Sequence, residues 1–305
     1  MAEQMARVSP EIELCYETFG DPADEPVLLV MGLATQMIAW QEDFCDELAG
    51  RGFHVIRFDN RDCGRSTQLT DRRPPTLGQT LRRKRSAAAY SLADMAGDAV
   101  GLLDHLGIER AHIVGASMGG MIAQTIAIRF PERVRSLVSI MSNTGDRLTG
   151  QPAFKIYPVF LKQAPKDRES FIEHTLTLYK AIGSPGFERN EDDMREVFGR
   201  EYDRGVSAAA NGRQLMAILA DRDRAAQLRR LDVPALVIHG TADKLVAKSG
   251  GRRTAKAIPG ARLLEIDGMG HDLPRGAWPP IIDGIAETAA RARKTAAPTA
   301  GAEAA

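Results

Sequence analysis

Short runs dense in aliphatic and β-branched residues recur along the chain. Each is closed by glycine or a polar turn and followed by a stretch with helical spacing. "PVLLVMG", "FHVIRFDN", "AHIVGAS", "VRSLVSIM", "PALVIHG" and "ARLLEIDG" are of this kind. Runs this short with no polar face are buried on both sides, and their alternation with helices predicts a mainly parallel sheet covered on both faces. The earlier "EIELCYETFG" alternates more strictly and predicts an antiparallel edge pair. The expected class is α/β, with a mostly parallel eight-stranded sheet.

Between Met141 and Ala235 the pattern changes, and no β run interrupts the block. "AFKIYPVFLKQ", "SFIEHTLTLYKAI", "EDDMREVFGREYDR" and "NGRQLMAILADRD" have helical spacing. A block of this size is too long for a loop between two strands, which predicts an inserted helical cap over 146–228. The core is then split into a first part, 1–145, and a second, 229–293. The Ala-, Thr- and Pro-rich end, 294–305, has the composition of a disordered tail.

Composition narrows the partners. Forty basic residues balance forty acidic ones in the 305-residue chain, so no electrostatic footprint for nucleic acid or an anionic membrane is expected. The run Arg82 to Arg85 is short, has no interleaved aromatics and reads as a solvated face. The start lacks the apolar region of a secretory signal, and no run has the length of a membrane span. The expectation is a cytoplasmic monomer or homodimer acting on a small molecule. Cys15, Cys45 and Cys63 are odd in number without C-x-x-C spacing, which argues against a disulfide framework or a zinc site and for small apolar fillers.

The candidate chemistry starts at Gly115-Ala116-Ser117-Met118-Gly119. G-x-S-x-G describes a tight strand-to-helix turn in which small residues let strand and helix approach while the serine is held out as a nucleophile. Here it follows a strand pattern and opens an apolar helix, the context that turn requires. A serine hydroxyl needs a base, and the base a carboxylate to orient it. Of six histidines, His54, His112, His105 and His174 lie in strand, helix or cap patterns and read as packing or surface residues. His271 lies in "LLEIDGMGHDLP", a glycine-rich loop at a strand end, where open α/β sheets place their sites. His239 ends a strand and is the second candidate, with hydrogen bonding inside its turn as the plainer role. For the carboxylate Asp243, after the preceding strand, fits; Asp146 is the runner-up, while Asp267 and Asp272 suit turn roles. The order Ser117, Asp243, His271 is that of one of the three common serine-triad folds. The oxyanion of a tetrahedral intermediate would then be met by the backbone N–H groups of Met118, at the positive end of a helix, and Leu33, after Gly32.

Two further stretches bear on the mouth of such a site. "FDNRDCGRST" could suggest phosphate or metal, but with one cysteine and no histidine it reads as a salt-bridged, glycine-turned brace. Trp40 would anchor the first helix or line an acyl pocket. The cap aromatics Phe154, Tyr157, Phe160, Phe171 and Tyr179 would form the cap core or an apolar substrate pocket.

With "PVLLVMGLATQMIAW", "GFHVIRFDNRDCGRST", "AHIVGASMGGMIAQ", "PALVIHGTADKLV" and "LLEIDGMGHDLP" the chain resembles the α/β-hydrolase superfamily. More closely it is similar to the bacterial aclacinomycin methylesterase type of carboxylesterase. The resemblance implies Ser117 as nucleophile, Asp243 as acid, His271 as base, Leu33 and Met118 as the oxyanion hole, and neither cofactor nor metal. Met31 stands where the superfamily commonly has histidine, and Asp62 where the Asp-x-Arg-Gly-x-Gly-x-Ser segment has glycine. The expected activity is hydrolysis of a small to medium, mostly apolar carboxylic ester through an acyl-enzyme. A lactonase, thioesterase, perhydrolase or acyltransferase would keep the same triad, and a non-catalytic ligand-binding protein could keep the fold.

Overall fold

The computed structural model describes residues 2–156 and 165–296. Its sheet has eight strands: β1 (Gln4–Arg7), β2 (Glu13–Phe19), β3 (Glu25–Val30), β4 (Phe53–Phe58), β5 (Ala111–Ala116), β6 (Val134–Ile140), β7 (Ala235–Gly240) and β8 (Arg262–Ile266). Their spatial order is β1-β2-β4-β3-β5-β6-β7-β8. β1 and β2 pair antiparallel, β2 joins β4 antiparallel, and every later pairing is parallel. The fold is therefore the mostly parallel eight-stranded α/β sheet that the apolar runs predict, with "EIELCYETFG" supplying the antiparallel margin.

The helices are α1 (Glu42–Ala49), α2 (Leu77–Leu81), α3 (Leu92–His105), α4 (Met118–Arg129), α5 (Arg168–Ile182), α6 (Glu191–Arg204), α7 (Ala208–Ala220), α8 (Ala225–Leu228), α9 (Lys248–Ala257) and α10 (Trp278–Ala296). Strand periodicity assigns them to faces. Leu28, Val30, Ile56 and Phe58 turn toward α3 and α4, whereas Val27, Leu29, Val55 and Val114 turn toward α1 and α10. Every residue of β4, β5 and β7 is buried, as two-sided cover demands. Trp40 is fully buried 5.3 Å from Phe44, which meets Trp278 edge to face at 5.6 Å. It is the anchor of α1 and not a pocket wall.

Helices α5, α6 and α7 lie between β6 and β7 in sequence and dock over the loops that leave β3 and β4. α5 and α6 share a small apolar core of Ile172, Leu176 and Phe198. Tyr179 packs on Phe198 at 5.0 Å and Phe171 on Tyr202 at 5.6 Å, so these aromatics serve the helices themselves. Phe154, on a short 3-10 turn, is exposed. Tyr157 and Phe160, with most of the helix expected there and the end from 297, lie outside the described residues.

Buried ion pairs tie these helices to the core. Arg213 of α7 grips Asp62 with two bonds of 2.7 Å, and Tyr90 and the Leu69 N–H donate to the same carboxylate. Arg204 at the end of α6 reaches Asp59 and donates to Gln36. Removing one partner of such a buried pair costs about 3–5 kcal/mol, because the other charge stays behind in low dielectric. Asp62 has a left-handed backbone (φ 61°), held there by the four bonds to its carboxylate. "FDNRDCGRST" is thus a brace, with Arg61 also paired to Asp98.

Among the described residues no helix is long and apolar enough to cross a membrane. Cys15, Cys45 and Cys63 are all free and buried. Burial pushes the thiols of Cys15 and Cys45 up to about 12 and that of Cys63 well above its ordinary value. A thiolate is the reactive form, so the native protein at about pH 8 should leave all three untouched by a water-soluble disulfide reagent, whereas the unfolded chain reacts at all three. Rapid modification of the folded protein would contradict this packing.

Candidate active site

β5 delivers Ser117 to the rim of the sheet with no connecting loop. Strand and helix meet backbone to backbone there: a Cβ on Gly115 would lie 2.1 Å from the Gly119 carbonyl oxygen, and one on Gly119 would lie 2.0 Å from that of Val30. No side chain fits at either position. The turn is completed by Ser117 itself, at φ 56° and ψ −119°, a conformation that costs a non-glycine residue on the order of 1–3 kcal/mol. The Ser117 N–H bonds the Ile140 carbonyl of β6 at 2.9 Å, which holds the strained residue to the sheet. Within the run Ala111 to Ala127, every residue but Ser117 is buried.

The loop after β8 brings His271 over this serine. Its Nε2 is 2.9 Å from Ser117 Oγ, and its Nδ1 is 2.8 Å from Asp243 Oδ2. Asp243 sits after β7, where its Oδ1 accepts the backbone N–H groups of Leu245 at 2.9 Å and Val246 at 2.8 Å. A carboxylate only accepts, so Nδ1 carries the hydrogen and Nε2 of the neutral ring is left to accept from the serine hydroxyl. His271 and Asp243 are each 8% exposed, and the pair is shielded from competing water.

The competing candidates lie elsewhere. Asp146 receives Leu148 N–H, Thr149 Oγ1 and Arg253 and is spent on its own turn. Asp267 accepts from Thr241 Oγ1 at 2.8 Å. His239 Nε2 donates to the Val246 carbonyl, 2.8 Å away, inside its turn, and lies 3.5 Å from Asp243 Oδ2. His112 bonds Ser136 within the sheet.

Gly32 opens the loop beside the serine, where an added Cβ would be 3.1 Å from Ser117 Cβ. Met31, in place of histidine, is buried and its carbonyl accepts from Asn60 Nδ2 at 2.9 Å. Among the described residues, the backbone N–H groups of Leu33 and Met118 donate to no protein acceptor. Unpaired donors at the edge of a buried core are costly unless something else satisfies them.

Sequence reasoning missed the support of the histidine loop. Ser184, in the turn after α5, accepts the Gly270 N–H at 2.8 Å and donates to Asp272, while His271 N–H bonds the Ile182 carbonyl at 2.9 Å. The histidine loop is therefore braced by the helical insertion, through contacts between distant segments that carry no motif.

A doubly covered sheet of this order, with a serine at the β5–α4 elbow facing a histidine and a carboxylate, is the architecture of α/β-class hydrolases. The chain belongs to that family: the model of the alpha/beta hydrolase fold matches residues 25–274. Rhodomycin D methylesterase DnrP of Streptomyces peucetius is 29% identical over 90% of this chain and 94% of its own length. 3-Oxoadipate enol-lactonase 2 of Acinetobacter baylyi is 27% identical over 79% of this chain and 80% of its own. A solved meta-cleavage product hydrolase from Pseudomonas fluorescens IP01 shares the fold at 20% identity with a TM-score of 0.72, covering 95% of this chain and 98% of that one.

The two acid candidates make opposite forecasts. Asp243→Asn should lower kcat by roughly 10³- to 10⁴-fold, since an amide in that place favours the wrong imidazole tautomer. Asp146→Asn should leave kcat within about twofold, because the partners of Asp146 are its own turn and Arg253 and not the His271 ring. A reversed ranking would transfer the role to Asp146.

Proposed function

We propose that the protein is a serine hydrolase that cleaves carboxylic esters through an acyl-enzyme at Ser117. The observation that carries this reading is the continuous chain of bonds from Asp243 through His271 to the Ser117 hydroxyl, at 2.8 and 2.9 Å. The ester carbonyl lies against Gly32, between Ser117 and the free N–H groups of Leu33 and Met118. As Oγ attacks, His271 Nε2 takes its proton, and Asp243 holds the ring and stabilises the imidazolium. The carbonyl oxygen becomes an oxyanion and accepts both N–H groups; loss of one such donor costs about 3 kcal/mol of transition-state stabilisation. His271 then returns the proton to the departing alkoxide, and the alcohol leaves. Water, activated by the same ring, releases the acid.

The substrate is a small to medium, mostly apolar ester, with the helices between β6 and β7 acting as a cap that shapes its pocket. The methylesterase relative supports a methyl or other small alkyl ester, and the enol-lactonase relative makes lactones the second class to assay. Ser117→Ala should keep the fold and lower kcat for p-nitrophenyl acetate or butyrate on the order of 10⁶-fold, to the level of background. Turnover that survives in that variant would remove the nucleophile from this scheme.

A further inference from the structure

The turn that presents the Leu33 N–H is not held by the core alone. Ala34 has φ 57°, a left-handed conformation that an alanine adopts only when its surroundings enforce it. The peptide joining Leu33 to Ala34 is gripped at both ends. Its carbonyl oxygen accepts from Thr35 Oγ1 at 3.0 Å, and its N–H donates to Gln214 Oε1 at 2.9 Å. Gln214 belongs to α7, in the helical insertion, and is fully buried. Its other end, Nε2, donates to the Arg61 carbonyl at 2.8 Å. One side chain of the insertion thus bridges the loop after β3 and the loop after β4, directly beside the peptide whose N–H stays unpaired.

Docking of α7 does not need this bridge. The neighbouring Arg213 already fastens the helix through its two-bond grip on Asp62, and Arg204 with Gln36 fastens the end of α6. What Gln214 adds is control of one peptide plane. That plane sets ψ of Leu33 and φ of Ala34, and a donor misplaced by about 1 Å can cost on the order of a hundredfold in rate.

We propose that Gln214 is a positioning residue of the reaction: its carboxamide fixes the Leu33–Ala34 peptide so that the Leu33 N–H faces the developing oxyanion. The insertion then governs the rate of the chemical step as well as access to it. This rests on the ester-hydrolase reading above, in which Leu33 and Met118 receive the oxyanion.

The test compares Gln214→Met, Gln214→Glu and Gln214→Asn with the full-length wild-type enzyme on p-nitrophenyl butyrate, each rate divided by the sites titrated with a fluorophosphonate. Methionine matches the length and makes neither bond. Its kcat should fall by about tenfold to a hundredfold with KM changed less than threefold, and an alkylboronic acid, which mimics the tetrahedral oxyanion, should bind weaker by the same factor. Glutamate retains an acceptor for the Ala34 N–H but loses the donor to the Arg61 carbonyl and should recover part of the rate, while asparagine, too short to span both loops, should recover none. A merely structural residue would lower Tm and the fraction of titratable sites and leave kcat per site intact. That result, or a rise in KM alone, overturns the proposal. If the methionine variant does not melt cooperatively, the glutamate and asparagine variants decide it, equal kcat per site being the contrary result. A wild-type enzyme that turns over no ester and takes no label would instead refute the proposed function itself.

Discussion

The structure depends on one contact in which two backbones touch with nothing between them. β5 runs into α4 at Gly115 and Gly119, and any larger residue would push strand and helix apart. That close approach forces Ser117 into its strained turn and leaves its hydroxyl at the open rim of the sheet. Burial of α4 from Met118 to Ala127 in the main core supplies the stabilisation that offsets the strain. The serine is presented by packing, and the rest of the site is brought to it.

What is brought comes from loops, two of them restrained by parts of the chain far away in sequence. Asp243 is held by two backbone donors of its own turn; Gly270 and His271 are held by Ser184 and Ile182 at the end of α5; the loop after β3 is held by Asn60, Thr35 and Gln214. The insertion therefore contributes to the order of the loops that carry Leu33 and His271. Its attachment by buried arginine–carboxylate pairs suits that task, since such pairs are directional and tolerate no sliding.

Much of this was legible in the sequence because the responsible signals are local. Continuous apolar runs such as "PALVIHG" declare a strand covered on both faces, and the glycines around Ser117 declare the elbow. Ser117, Asp243 and His271 are each read from a different strand end, and the structure places His271 within hydrogen-bond distance of both Ser117 and Asp243. The choice between Asp243 and Asp146 was less legible, because both follow a strand and only the spatial order of strands separates them. Asp62 looked like a flaw in a glycine pattern, yet its side chain is what Arg213 binds. Gln214 and Ser184 carried no signal at all. Their partners lie at the other end of the chain or in a loop with no recognisable spacing, and a lone glutamine or serine in a helical block looks like surface.

The central claim is that Ser117 is the activated nucleophile of the folded protein. It is tested most directly by treating the native enzyme with a fluorophosphonate at neutral pH and locating the adduct by peptide mass spectrometry. The account predicts one phosphonyl group per chain, on the Ser117 hydroxyl, formed rapidly in the folded state and not after denaturation. A folded protein that takes no label, or takes it on another residue, would contradict it.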